Sequence, residues 1–455
     1  MDTLVSLCPA VDGAEAVEQI GLLERLKSAA AAAQARVTAG FAAGQRERMG
    51  ARGMSRAEQA RSIGAQVALA RHDSPVRGGR HLGMAEALVG DLPSTLAALT
   101  AGEISEWWAT LVVRETACLS RADRRRVDAE LAGRLGSLGD RQVAAEARTV
   151  AYRLDPVAVM ARVRGAVGDR RVTLRPAPEA MSRLSGLLPA AAGVAAHTAL
   201  ARHAEAARAA GDTRSRGQIM ADELVARLTG HTNPASGQAG APVPDPCSWD
   251  TPYPAPVTGP ATAPAGAADG LGLPAGVDLD VRLVMTDATL FAGDDTPATV
   301  LGYGPIPAGL ARRLVRDADE QARVWLRRLY TDPQTGALVA MESRGRCFEH
   351  GLRQVLIIRD EATCRTPWCT APIRHLDHVV EVHDGGPTSA ANGQGLCEQC
   401  NYVKTTPGWT ARPGPDGTIT TTTPTGHTYT SPVPRQPGPP ATAPLAASAP
   451  CNPAA

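Results

Sequence analysis

At 455 residues the chain is longer than one ordinary hydrophobic core organises, so two or three domains are expected. Its formal net charge of +1 gives no global electrostatic case for nucleic acid or membrane. Only Lys27 and Lys404 among its 47 basic residues are lysines. Arginine's planar fork suits phosphate, but an Ala/Arg-rich composition is also what GC-rich coding gives, so composition alone assigns no partner.

The opening "MDTLVSLCPAVDGAEAVEQ" lacks a basic n-region followed by a long apolar run, and no apolar stretch approaches the ~18 residues of a bilayer span. A soluble, cytoplasmic protein is expected. Residues from about Ala14 to Gly230 read as helices. Val17, Ile20, Leu23, Leu26, Val37 and Phe41 form an apolar stripe in an Ala-rich background. Ser55 and Glu58 have capping-box spacing, and Asp155-Pro156 reads as an N-cap followed by a first helical residue. Trp107 and Trp108 are expected to pack, "RADRRRVDAE" (121–130) to form a solvated helix face, and "RVTLR" (171–175) to be a short strand.

From Gly230 to Gly276 ten of 47 residues are proline, a composition that cannot bury enough apolar surface to offset its ordering entropy and predicts a linker. "VDLDVRLVMT" (277–286) alternates as a strand, "PAGLARRLVRDAD" (307–319) reads as a helix, and "RVWLRRLYTDPQTGALVAMES" as two strands around a turn. "GYGP" (302–305) is a turn, and "FEHGLRQVLIIRDEATC" a helix that delivers the chain to Cys364. The isolated His72, His81, His197 and His203 read as surface or core groups. From Ser431 the tail holds eight prolines in 25 residues and is expected to be disordered.

Cysteines are unevenly placed. Cys8, Cys118, Cys247, Cys347 and Cys451 are solitary, whereas Cys364, Cys369, Cys397 and Cys400 form two close pairs with 27 residues between them. In a reducing compartment such pairs read as metal ligands before disulfides. Four thiolates suit a closed, structural zinc site and leave no open position for catalysis. Between the pairs, "HLDHVVEV" (375–382) reads as a strand, "HDGGPTSAANG" as a loop, "QGLC" as a second strand and "CEQCNYVKTT" as the start of a helix.

The series Asp377-His378, Asn392, Cys397-x-x-Cys400-Asn401-x-x-Lys404 resembles the HNH endonucleases of ββα-metal fold. With the helical N-terminal half and residues 326–378, the chain is similar to actinobacterial 13E12-repeat proteins, which join a helical domain of unknown function to a C-terminal HNH nuclease. The resemblance implies metal-dependent hydrolysis of DNA phosphodiesters. Such chemistry needs an activated water, an electrophile at the phosphate and stabilisation of the leaving oxygen. His378 is the candidate base, near-neutral imidazole being able to take a proton from water. Asp377 and Asn401 are the candidate oxygen ligands of a hard divalent cation. Asn392 is implied to hold the loop and orient the strand that carries the base, while Arg374 and Lys404 are candidate phosphate contacts. Asn401 stands where the best-known pattern has His, which favours Mg²⁺ or Mn²⁺ over a softer metal. His383 reads as an exposed loop residue, and His375 as a weaker candidate on the Asp377 face.

The expected architecture is thus a mainly α N-terminal domain plus a small α+β, zinc-containing HNH domain. Its expected divisions are 1–230 helical, 231–276 linker, 277–345 α+β connection, 346–412 nuclease and 431–455 disordered tail. The alternative is a catalytically degenerate, zinc-stabilised nucleic-acid-binding or helical interaction protein.

Overall fold

Alanine and glycine, more than large aliphatic residues, decide how the N-terminal helices pack. A computed structural model of the chain describes residues 12–229, 281–316, 347–434 and 436–437. The expected linker at 231–276, the strand pair at 323–343 and the tail from 438 onward lie outside the described residues. The chain divides into two compact units, one made of Met1–Gly168 with Ala337–Pro434 and the other of Asp169–Gly336 with Arg435–Ala455.

In the first unit, α1 (Gly13–Ala51), α2 (Arg56–Ala70), α3 (Pro75–Asp91), α4 (Pro93–Ala101), α5 (Glu106–Thr116), α6 (Arg121–Leu131), α7 (Asp140–Leu154) and α8 (Pro156–Ala166) follow one another through short turns. The Ser55–Glu58 capping box starts α2, and the Asp155 carboxylate accepts from Ala158 N to start α8. Leu92 offers α4 no side-chain cap. Instead Asp128 of α6, itself buried, accepts from Ser94 N (2.6 Å) and Thr95 N (2.8 Å).

Apart from Phe41, which packs against Ala42, Met49, Ile63 and Leu82, the apolar stripe expected on α1 is not its buried face. Val17 is 69% and Val37 72% exposed, and contact is made by Ala31, Ala32, Ala35, Ala42 and Met49. Small side chains let helix axes approach closely, so an alanine face buries where bulkier residues could not. The main core joins Ala31, Ala32 and Ala35 to Leu88 of α3, Leu99 of α4, Val112 of α5, Val127 and Leu131 of α6, and Val143 and Val150 of α7. Where α2 meets α3, a Cβ on Gly78 would lie 2.2 Å from the Gly64 carbonyl oxygen, so only glycine fits. The 121–130 stretch also departs from a purely solvated face. Arg121 and Arg126 are exposed, but Arg124 donates to Asp91 (3.0 Å) and Ala117 O (2.8 Å), and Arg125 to Gly90 O (3.0 Å). Trp107 and Trp108 both donate to Asp140 at the start of α7, and Trp108 packs against the core.

The unit continues with α13 (His350–Arg359), then β6 (His375–His378), β7 (Gly393–Leu396), α14 (Glu398–Lys404), β8 (Thr410–Pro413), β9 (Ile419–Thr422) and β10 (Thr428–Ser431). Strands β6 and β7 pair antiparallel with Asp377 opposite Gln394 and His378 opposite Gly393. Strands β8, β9 and β10 form an antiparallel sheet with β9 central.

The second unit holds the antiparallel hairpin β1 (Arg171–Pro176) and β2 (Ser182–Leu187), helices α9 (Ala190–Ala209) and α10 (Arg216–Thr229), and a three-stranded sheet. That sheet is β3 (Leu283–Val284), β4 (Ala298–Val300) and β5 (Gly304–Ile306), accompanied by α11 (Asp287–Phe291) and α12 (Ala308–Arg316). Its core is small: Ala298, Ile306 and Ala311, with Leu283, Val300 and Leu314 against them. Among the described residues no helix is long and apolar enough to cross a membrane.

Candidate active site

The four paired cysteines converge. Cys364, Cys369, Cys397 and Cys400 are buried, and their sulfurs all lie within 4.8 Å of one another. Cys369 Sγ and Cys397 Sγ are 3.8 Å apart, nearly twice a disulfide bond length of about 2.05 Å. A tetrahedron with zinc–sulfur arms of about 2.3 Å has edges of about 3.8 Å, so donor chemistry and spacing both fit zinc. Crowding also biases protonation. Hydrogen bonds from Cys364 first, then Cys369 and Cys400, hold the Cys397 thiol well below its ordinary range. The same sulfur caps α14 by accepting from Cys400 N (3.4 Å).

Directly before α14 lies the β6–β7 hairpin. The expected strand over 375–382 stops at His378 because Asn392 replaces the next strand partner. Buried Asn392 accepts from Val380 N (2.9 Å) and donates to Val380 O (2.9 Å) and Pro387 O (2.8 Å). Its amide saturates both backbone groups of Val380, and the chain turns into a 3₁₀ segment, Val382–Asp384. Gly386 is required there, since a Cβ would fall 1.9 Å from the Val380 carbonyl oxygen.

Neighbouring residues on β6 point to opposite faces. Leu376 and His378 face α13: Leu376 packs against Phe348, Leu352 and Leu356, and the His378 ring stacks on Phe348 with centroids 4.4 Å apart. His378 is 8% exposed, and its Nε2 lies 3.0 Å from the Thr388 hydroxyl, which fixes the ring's orientation. Asp377 faces the other way, toward α14, where Lys404 Nζ donates to its Oδ2 at 2.7 Å. The same ammonium donates to Glu381 Oε1, and the Lys404 side chain is 12% exposed. Asn401 is half-buried in the helix that carries Lys404, with its backbone N donating to Cys397 O (3.0 Å). Arg374 is tied to β7 by its backbone N, which donates to Leu396 O (2.8 Å), and is exposed. His375 and His383 are exposed as well.

The structure therefore gathers the four cysteines, joins Asp377 to Lys404, and seats Asn392 across the loop. His378 and Asp377 lie on opposite faces of one strand end. Sequence reasoning did not single out Glu381, Thr388, Phe348 or Gln394. Glu381 is brought beside Asp377 only because the strand ends early, and Gln394 Nε2 donates to His378 O (3.4 Å) only through the hairpin register.

A buried charge network braces this hairpin from behind. Asp360, fully buried at the end of α13, accepts from Arg359 (2.7 and 2.9 Å), from Arg365 (2.9 Å) and from Gly395 N (2.8 Å). Arg359 also donates to Ala390 O (2.6 Å) and Gly393 O (2.9 Å), and Arg365 to Gly417 O (3.0 Å) and Ser431 O (3.3 Å). Burial lowers the Arg365 pKa from its usual value, and the Asp360 carboxylate opposes that shift.

A two-stranded antiparallel hairpin leading into a short helix, knitted by a four-cysteine cluster and preceded by a helical domain, is the layout of an HNH-containing chain. The protein belongs to the family described as "Domain of unknown function (DUF222)", matched over residues 25–360, and residues 364–406 match the HNH endonuclease family. Among curated proteins, Uncharacterized protein Rv3776 of Mycobacterium tuberculosis (strain ATCC 25618 / H37Rv) is 33% identical over 137 residues, 30% of this chain and 24% of that protein's length. No solved structure matches the chain. The HNH domain marks a nuclease family and implies a divalent metal, and the cysteine cluster is consistent with structural zinc.

Proposed function

We propose that the protein is a metal-dependent DNA endonuclease, cytoplasmic, with one structural zinc at Cys364, Cys369, Cys397 and Cys400. The observation that carries this reading is the pairing of the cysteine cluster with the Asn392-clamped β6–β7 hairpin, which holds His378 and Asp377 at a single strand end.

His378 takes the proton from the attacking water. Thr388 and the Phe348 ring hold the imidazole in one orientation, the support a general base needs. Asp377 and Asn401 are oxygen donors on facing elements, suited to a hard divalent ion such as Mg²⁺ or Mn²⁺. Such a cation supplies charge neutralisation at the scissile phosphate. Lys404 balances Asp377 and Glu381 and remains within the site as a phosphate contact, and exposed Arg374 at the start of β6 meets the DNA backbone. Asn392 acts by holding the loop that aims the strand. We further propose a helical domain over 1–230, a proline-rich linker over 231–276, an α+β connection over 277–345 and the nuclease over 346–412, with the β8–β10 sheet completing the folded module through Ser431, so that the tail expected over 431–455 follows that strand.

The test is nicking of supercoiled plasmid by the full chain with Mg²⁺ or Mn²⁺. His378→Ala is expected to lower the rate by ~10²–10⁴-fold with zinc and DNA binding retained, and Asp377→Ala to raise the cation requirement. A gel shift with no cleavage by the wild type selects a degenerate binding protein instead. Wild-type cleavage by His378→Ala overturns the assignment of the base.

A further inference from the structure

The second half of helix α2 is buried on every side. All eight residues from Ser62 to Leu69 are buried, although Ser62 and Gln66 are polar and one turn apart. A helix without a wet face lies between two packed layers. One layer is α3, met across Gly64 and Gly78. The other is the C-terminal module of the same unit. Ala65 and Leu69 pack with Val403 of α14 and with Trp409, and Tyr429 of β10 closes the cluster. The two polar residues of this buried stretch are satisfied from that side: Trp409 Nε1 donates to Ser62 Oγ (2.9 Å), and Thr425 Oγ1 to Gln66 Oε1 (3.0 Å).

Two more contacts flank this seam. The Arg61 guanidinium lies 5.7 Å from the centre of the Tyr402 ring on α14. Just past the helix, the His72 ring stacks on Trp368 of the first cysteine loop, with centroids 4.3 Å apart and planes 12° from parallel. His72 and Trp368 both have positive φ, 54° and 59°. Non-glycine residues are held in that region only where the surroundings over-determine it.

The element so gripped carries the candidate chemistry. Helix α14 is capped by Cys397, contains Cys400, Asn401 and Lys404, and places Val403 against α2. We propose that α2, inside the domain of unknown function, is a positioning element of the nuclease site. It holds α14 through Ser62–Trp409, Gln66–Thr425 and the Val403 contact, and thereby sets how tightly Asn401 and Asp377 bind their cation. This inference rests on the nuclease reading for its catalytic meaning and on packing alone for its mechanical part.

The experiment uses full-length variants Ser62→Ala, Trp409→Phe and the double variant, with Gln66→Ala as a second, milder probe should the first set fail to fold. Three quantities are read: bound zinc, amide hydrogen exchange over 398–404, and the Mn²⁺ concentration giving half-maximal plasmid nicking. Leaving a buried donor or acceptor unpaired is expected to speed α14 exchange by about tenfold. The Mn²⁺ half-saturation should rise several-fold while the rate at saturating Mn²⁺ and the single zinc are retained. The double variant should be no worse than either single one, because both remove the same bond. Unchanged exchange over 398–404 overturns the proposal. So does faster exchange with an unaltered Mn²⁺ requirement, which reduces the seam to packing. A wild type that never nicks DNA refutes the nuclease reading instead, and the exchange arm still decides whether α2 holds α14.

Discussion

Replacing Asn392 tests the central geometric statement, that one side-chain amide ends β6 and shapes the loop behind His378. Asn392→Ala removes three hydrogen bonds of 2.8–2.9 Å and leaves Val380 N–H, Val380 C=O and Pro387 C=O without that partner. At ~1 kcal/mol net for each bond, the loss is about 3 kcal/mol, and more to the extent that these groups stay dry. Asn392→Asp is the sharper probe. It keeps the acceptor for Val380 N but sets a carboxylate oxygen against two carbonyls. Only the protonated acid can donate there, so folding raises that carboxyl's pKa. Relative to the wild type, the variant is therefore least destabilised in acid, and its deficit grows as pH rises through the carboxylate range. Hydrogen exchange at Val380 and 393–396, followed with pH, reads the opening of the hairpin. An Asn392→Ala deficit under 1 kcal/mol, or an Asn392→Asp variant indifferent to pH, would refute the clamp.

Other expectations follow from single observations. Protein prepared without chelator should carry one zinc per chain, and Cys400→Ser should lose it together with order in 364–404; full zinc in that variant contradicts a four-sulfur site. In the second unit, Arg214 hydrogen bonds hold Asp212 down to about 2 from an ordinary 3.8. The contribution of that half-buried pair is complete above pH 3.8 and fades as pH falls toward 2; an NMR titration of Asp212 midway near 4 would show the contact to be absent in solution. Limited proteolysis should cut first within 231–276, as its proline-rich composition suggests, and first cuts inside the helices of 13–229 would count against that division.

How much of this was legible in the sequence varied with the range of the interaction. The capping pairs Ser55–Glu58 and Asp155–Pro156, and the order strand, strand, helix between the cysteine pairs, are local patterns and were readable. The four-cysteine convergence was readable because few other roles demand that spacing. The α1 core face was not, since alanines leave no contrast with their background while Val17 and Val37 do. Nor could periodicity show why α2 is buried all round from Ser62 to Leu69, because Ser62 and Gln66 find partners 347 and 359 residues away. The early end of β6 was hidden in a single asparagine. Glu381, spaced like part of a continuing strand, turns back to Lys404 only once that strand has stopped.

The Arg359–Asp360–Arg365 network has a consequence for excising the nuclease. The HNH match ends at residue 406, but Arg365, sealed beside Asp360, donates to carbonyls at Gly417 and Ser431. A fragment stopped at the end of the motif would strand a buried guanidinium with two acceptors missing, because it lacks the whole β8–β10 sheet. A fragment carried through Ser431 keeps them. The last residue that the motif needs and the last residue that the folded piece needs are thus about 25 positions apart, and the second is set by an arginine at the motif's very start.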